Sequence, residues 1–443
     1  MTRETNADQV VIAGAGLAGL AAAAAAARAG ARVLILDEKS PGGRARTDEM
    51  DGFRFNRGPH AIYMGGPGRA VLNRLGVQPA THTPPLRGAR LLADGGLHPP
   101  LSRRVLGLRA AAQLTAAFIR ISRTDSAGSP VTSTRDWIAS LDLTPKAAAM
   151  LEFAARVTSY SSDMDAMPAD VAIGQLRSAL RFVGYPDEGW QFLVDGLLAR
   201  ATDAGAEFRA HTPVTGIGGE PGAWRVRTLS GEEIPAAAVV IATGTPVGTR
   251  RLLPDGAGPD GPGWAGLGPE VTAACLDLGL RHTRTRVTFG LDEPLYLSPH
   301  APGGKLAPAG MGMVHVARYG ATTPDADRAR LEAFAASAGI VQGDIAAARF
   351  LPKMTVVTAL PAVGSGLAGR PPVAVAGTPG LFVAGDWAGP VGWLSDASLA
   401  SGERAGLLAA RAVTSAGYRP AGYRGPRAAT PGQRPGTDVP ARR

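Results

Sequence analysis

Three glycines near the start of the chain restrict what can follow them. Gly14, Gly16 and Gly19 stand at G-x-G-x-x-G spacing between a short apolar run, Val10-Val11-Ile12-Ala13, and an alanine-rich segment that ends near Arg28. A second apolar run, Arg32-Val33-Leu34-Ile35-Leu36, closes on the acids Asp37 and Glu38. Strand, glycine turn, helix, strand and acid in that order make a dinucleotide-binding βαβ unit. Gly14 allows the tight turn out of the strand, Gly16 leaves no Cβ where a pyrophosphate approaches, and Gly19 lets the helix pack closely on the sheet. Ala15, Leu17 and Ala18 supply backbone at the helix start, where unpaired N–H groups and the positive dipole end face the diphosphate. Asp37, eighteen residues past Gly19, is placed to accept from the ribose hydroxyls, with Glu38 as second candidate.

The stretch from Val10 to Ala27 is also eighteen residues without a polar side chain, the lower limit for crossing a bilayer. Alanine and glycine dominate it, so it is weakly hydrophobic, and it runs into the second strand without a cleavage-like break. It reads neither as a membrane span nor as a signal peptide. A chain of 443 residues, 45% apolar and 19% charged, has room for two or three domains and a large core, and reads as soluble and globular. The one cysteine, Cys275, excludes an intramolecular disulfide and a cysteine-rich metal site, and no metal is expected. More than half of the net charge of +9 falls in residues 417–443, a Pro/Gly/Arg-rich tail expected to be disordered. With aromatics at only 5% and no nucleic-acid motif, no nucleic acid is expected as a partner.

The residues after the second strand narrow the choice of dinucleotide. Gly42-Gly43-Arg44-Ala45-Arg46-Thr47 resembles the G-G-R-x-x-T element of the flavoprotein superfamily that contains the amine oxidases, phytoene desaturases and protoporphyrinogen oxidases. The resemblance continues through Asp51-Gly52-Phe53, Gly58-Pro59-His60 and the strand Val239 to Gly244. It ends in a C-terminal block: Leu381 to Ala384, then Gly385-Asp386, Trp393-Leu394-Ser395-Asp396 and Ser401 to Ala405. It implies an α/β fold, in which a Rossmann-like FAD-binding domain with a doubly wound sheet is interleaved with a mixed α+β substrate domain. The expected segments are 8–95, 186–265 and 373–415 for the FAD domain, and 96–185 and 266–372 for the substrate domain.

The resemblance also implies FAD, expected to be non-covalent because Cys275 lies far from the C-terminal motif. It places Gly42 and Gly43 against the cofactor, Arg44 near the pyrophosphate and flavin side, and Gly58, Pro59 and His60 near the flavin ring. The backbone at Val214 meets the adenine. Gly385 permits close approach and Asp386 binds ribityl or phosphate-side hydroxyls. Trp393, Leu394 and Ser395 open a helix whose N-terminus faces the flavin N1–C2=O edge, where negative charge collects on reduction.

The implied chemistry is removal of a hydride from a C–H bond to flavin N5, leaving C=C or C=N, with oxygen or another acceptor taking the electrons. No side chain has to be catalytic, and His60, Trp393 and Asp396 are the candidates. The family's flavin-flanking aromatic position holds Leu394, with Trp393 one residue off, and its glutamate position holds Asp396. These departures favour a phytoene-desaturase-like dehydrogenase of an apolar small molecule over an amine or amino-acid oxidase. Lys353, thirty-three residues before Asp386, is late for the lysine of some amine oxidases, and reads as structural. A third reading, a flavin-free prenyl- or lipid-binding protein like the Rab escort and GDP-dissociation proteins, conflicts with the retention of glycine fingerprint, ribose acid and Gly-Asp motif together. Leu101 to Arg123 mixes apolar residues with five arginines; a helix capping the active site is expected, with peripheral membrane contact as the second reading. The location expected is cytoplasmic.

Overall fold

The structure is a computed structural model, and it describes residues 8–83, 86–124, 131–254, 264–320 and 323–416. The tail 417–443 lies outside the described residues.

The first strand, Gln9–Ala13, is the centre of a five-stranded parallel sheet. Arg32–Leu36 and then Glu207–Arg209 flank it on one side, Ala238–Ile241 and Leu381–Val383 on the other. Its five residues are all buried, as parallel strands covered on both faces require. The sheet thus takes strands from the beginning, middle and end of the chain.

Helix Leu17–Arg28 explains its own alanines. Every residue from Leu17 to Ala27 is buried, because the helix is packed by Gln191–Asp203 and by the last helix, Leu394–Ala416. A Cβ on Gly402 would lie 2.2 Å from the Ala18 carbonyl oxygen, and one on Gly406 2.1 Å from that of Ala22. Two helices meet backbone to backbone at steps of four residues, and only small side chains fit between them.

A seven-stranded sheet forms the other half. Its order is Ile345–Val357, Val271–Leu280, Gly312–Tyr319, Leu295–Ala301, Thr288–Gly290, Arg90–Ala93 and Gly96–His98. The hairpin near residue 90, read from sequence as part of the segment 8–95, pairs here: Phe289 stands beside Leu91. Leu295–Ala301 is a strand that its proline disguises; the ladder shifts register between Pro299 and Ala301, and the irregularity absorbs the missing N–H. Ile345–Val357 forms an edge of this sheet, its first half carrying Arg349 and alanines that range from buried to exposed.

Period-two alternation gives this sheet two unlike faces. Leu276, Leu278, Val314, Val316, Leu295 and Leu297 pack under helix Pro324–Ser337. Cys275, Asp277, His315, Ser298 and His300 occupy the opposite face, all fully buried. The helices Leu108–Arg123, Thr134–Ala139, Pro145–Ser159 and Ala169–Ala179 form a third body with its own core around Leu151, Trp137 and Ile173. On Leu108–Arg123 the outward residues include Leu108 and Ile119, with Leu101 exposed just before the helix. Among the described residues no helix is long and apolar enough to cross a membrane.

Candidate cofactor and substrate site

A cavity of about 530 Å³ opens where the parallel sheet ends. The switch point of a doubly wound sheet is where such a fold leaves room for a ligand. Gly14, Gly16, Leu17, Ala18, Asp37 and Glu38 line it from the first βαβ unit, and Gly42, Gly43 and Arg44 from the following loop. Pro59, His60, Val214, Gly385, Asp386, Leu394 and Ser395 complete the set drawn from the sequence. Ala15, Gly19, Gly58 and Trp393 stand outside the lining.

The glycines show why each is needed. Gly14 has φ +112°, and a Cβ there would lie 2.4 Å from the Ala242 carbonyl oxygen. A Cβ on Gly19 would come within 1.8 Å of the Gly14 carbonyl oxygen. Gly16 is different: a Cβ there meets no protein atom within 4 Å and would project into open space. It caps helix Leu17–Arg28 without a side-chain acceptor, and no acid lies in the first turn. Among the described residues the first N–H groups thus have no side-chain cap, and Leu17 and Ala18 line the cavity, the arrangement a diphosphate fits. Asp37 accepts from the Ala15 N–H at 2.6 Å and the Lys39 N–H at 2.8 Å, which pins the acid at the strand end. Glu38 pairs with Lys39 in solvent.

Arg44 joins the two ends of the chain. Its Nη1 donates to Asp386 Oδ2 at 2.8 Å. The other Asp386 oxygen accepts from the Thr358 hydroxyl, and the Thr358 N–H reaches Oδ2 at 3.2 Å. The buried carboxylate thus already has three protein donors, and a hydroxyl of the cofactor would add to this set rather than replace it. Gly385 is held by Ser401, whose hydroxyl accepts from its N–H at 3.0 Å and donates to its carbonyl at 2.8 Å. The buried Arg370 donates to the Asp386 carbonyl and to the Gly392 carbonyl, each at 2.9 Å, and fixes the loop between them.

The two remaining catalytic candidates from the sequence turn away from the cavity. Trp393 is buried in the helical body, its Nε1 donating to the Ser159 carbonyl at 3.0 Å. Asp396 faces the start of helix Pro67–Leu75, accepting from the Gly68 N–H at 3.1 Å, while its Oδ2 has no partner among the described residues. Burial pushes its carboxyl up to about 7, with the Gly68 hydrogen bond opposing. Lys353 is exposed and paired with Glu270.

His60 does face the cavity. Its Nε2 lies 3.1 Å from the Arg44 carbonyl oxygen, and its ring tilts against Trp190 at 5.1 Å. Burial lowers its pKa to about 4; Arg44 and His315 also lower it by charge, against the Arg44 backbone bond and the Asp277 charge. Beside it the wall is Tyr160, Trp190, Met354, Val356 and Leu394. None of the first four belongs to a motif. They come from separated segments, and only the fold assembles them.

Behind this wall lies the polar face of the seven-stranded sheet. His315 Nδ1 lies 2.5 Å from Asp277 Oδ1, and Cys275 donates to the same oxygen at 3.1 Å. Arg349 holds Asp277 Oδ2 through Nε at 2.9 Å and Nη2 at 2.6 Å, and reaches across to Asp48 at 3.0 Å. Burial would push the Asp277 carboxyl up, but His315 and Arg349 outweigh it and keep it below the usual range. Burial pushes the Cys275 thiol up. Cys275, Asp277 and His315 are close enough to suggest a metal site. Their spacing is that of shared protons, too short for ligands around one ion.

The profile of the family described as flavin containing amine oxidoreductase matches residues 17–260. A phytoene dehydrogenase of Streptomyces griseus is 50% identical over 58 residues, which is 13% of this chain and 11% of that protein. An oxidoreductase from Methanosarcina mazei has the same fold, with a TM-score of 0.68 at 18% identity, over 93% of this chain and all of the other. So does putrescine oxidase bound to putrescine, with a TM-score of 0.69 at 13% identity, over 90% of this chain and 98% of the other. The chain belongs to the flavin containing amine oxidoreductase family, and it is an FAD-dependent oxidoreductase.

Proposed function

We propose that the protein holds FAD without a covalent link and uses it to dehydrogenate an apolar small molecule, in the manner of a phytoene desaturase. The observation that carries the choice of substrate is the position of Asp396. Amine substrates enter as cations, and the acid at the family's glutamate position is buried against Gly68, outside the cavity lining. Tyr160, Trp190, Met354, Val356 and Leu394 offer apolar surface beside His60 instead. The short match to a phytoene dehydrogenase supports the same choice. Cys275 is buried behind the wall in a bond to Asp277, which supports a non-covalent cofactor.

In this reading FAD supplies the two-electron chemistry. Gly16 and the start of helix Leu17–Arg28 would bind the diphosphate, Asp37 would orient the ribose, and Arg44 with Asp386 would hold the middle of the molecule. Leu394 and Ser395, at the start of the last helix, would meet the ring. Tyr160, Trp190 and Leu394 orient the substrate and exclude water from it.

The test is a visible spectrum, then anaerobic mixing. Yellow protein whose colour is bleached by isoprenoid or other apolar donors, and not by diamines or amino acids, is the expected result. Bleaching by amines alone would move the protein to amine oxidation. Colourless protein that takes up no added FAD would return it to the prenyl-binding class.

A further inference from the structure

Dehydrogenation removes a hydride and also a proton, and the proton needs an acceptor. The cavity lining contains few groups that can take one. Asp37, Glu38 and Lys39 stand at the end assigned to the ribose, Asp386 is occupied by Arg44 and Thr358, and Tyr160 donates to the Pro59 carbonyl. Arginines stay protonated. His60 remains.

Its tautomer is fixed by its neighbour. The Arg44 carbonyl oxygen can only accept, so the His60 Nε2 carries the hydrogen, and Nδ1 presents a lone pair. The ring is half-buried and lines the cavity. The charged groups that face it are Arg44 from its own side and His315 and Asp277 from the opposing sheet, with Arg349 behind Asp277. Asp277 accepts from His315 Nδ1, and the His315 Nε2 and both ring nitrogens of His300 have no partner among the described residues. The rings of His300 and His315 meet edge to face at 4.5 Å. A buried polar atom left unpaired costs on the order of 1–3 kcal/mol. Three such atoms lie on the face of the sheet that carries Asp277.

We propose that His60 takes up one proton for each pair of electrons the cofactor receives, and that the Asp277 carboxylate is the positioning element that favours its positive charge, against Arg44 and His315. The inference rests on the flavin reading above. With a substrate, one C–H bond breaks and both its electrons leave as hydride. The adjacent bond to hydrogen gives its proton to His60 Nδ1, and its electrons form the new double bond. With a chemical reductant the electrons come from the reductant and the proton from water.

The holoenzyme tests this without a known substrate. Stepwise anaerobic reduction by dithionite against a reference dye gives the midpoint potential at each pH from 4 to 9. Wild-type protein is expected to show a break, with one more proton taken up per electron pair on one side of it than on the other. His60→Gln should keep the yellow colour and lose the break, and Asp277→Asn should move it to lower pH. No break in the wild type, or an unchanged break in His60→Gln, overturns the inference.

If His60→Gln does not retain FAD, nitrogen NMR of histidine-labelled wild type decides. A ring with hydrogen on Nε2 should become charged on reduction, unlike His315 and His82, whose Nδ1 faces a carboxylate. No such ring would overturn the inference. Colourless wild-type protein would instead remove the flavin reading on which it rests.

Discussion

The parallel sheet and the seven-stranded sheet approach the same cavity with opposite means. The first brings backbone: glycines, alanines and a helix start without a side-chain cap. The second brings side chains, with Asp277, Arg349, His315 and His300 fully or largely buried on one face. Binding a constant nucleotide needs close approach and fixed dipoles, which backbone supplies. Handling protons needs groups that titrate, which only side chains supply.

If the backbone side depends on close approach, the largest effect should come from Gly19→Ala. Its methyl would fall 1.8 Å from the Gly14 carbonyl oxygen inside a dense core, and loss of soluble, folded protein on expression is expected. On the side-chain half, Arg349→Ala leaves the Asp277 carboxylate buried without its cation. A cost of about 3–5 kcal/mol in urea unfolding is expected. Arg349→Ala combined with Asp277→Asn should recover part of it.

Asp396 belongs to neither sheet and shows the cost of a buried acid at its clearest. Its carboxyl moves from 3.8 to about 7 on folding. The folded state therefore holds the proton more tightly. Its contribution is most favourable below pH 4, declines as pH rises to 7, and is flat above. The full span is roughly 4 kcal/mol. Asp396→Asn keeps the acceptor for the Gly68 N–H and should remove this decline, measured as unfolding free energy from pH 4 to 8.

Gly16→Ala separates ligand from fold. Because its methyl meets only open space, melting of the apoprotein should be unchanged, while FAD binding weakens at least about tenfold, or ~1.4 kcal/mol, by fluorescence titration. Equal loss in apoprotein stability would break the contrast with Gly19. The smallest effect concerns the outer helix. Exposed Leu101, Leu108 and Ile119 among Arg103, Arg104, Arg109, Arg120 and Arg123 lead us to propose weak, salt-sensitive sedimentation with anionic vesicles, absent with neutral ones.

The cofactor half was legible because its function is local. Gly14, Gly16 and Gly19 act within six residues, and Gly42–Arg44 and Gly385–Asp386 carry their geometry in short motifs. Trp393 misled because a residue next to a motif position need not point the same way. Leu394 beside it lines the cavity, while the indole packs into the helical body. Asp396 stands at the family's glutamate position, yet its carboxylate turns to the Gly68 N–H instead of the cavity.

The amino-acid order by itself determined the βαβ unit and the glycine turn, since these follow from steric limits between near neighbours. Tertiary structure alone decided that Tyr160, Trp190 and Met354 share a wall with His60, and that Asp277, His315 and Arg349 stand behind it. Strand register brings Asp277 beside His315, 38 residues on, and Arg349, 72 residues on. Long-range pairing of that kind leaves no periodic trace in any one segment.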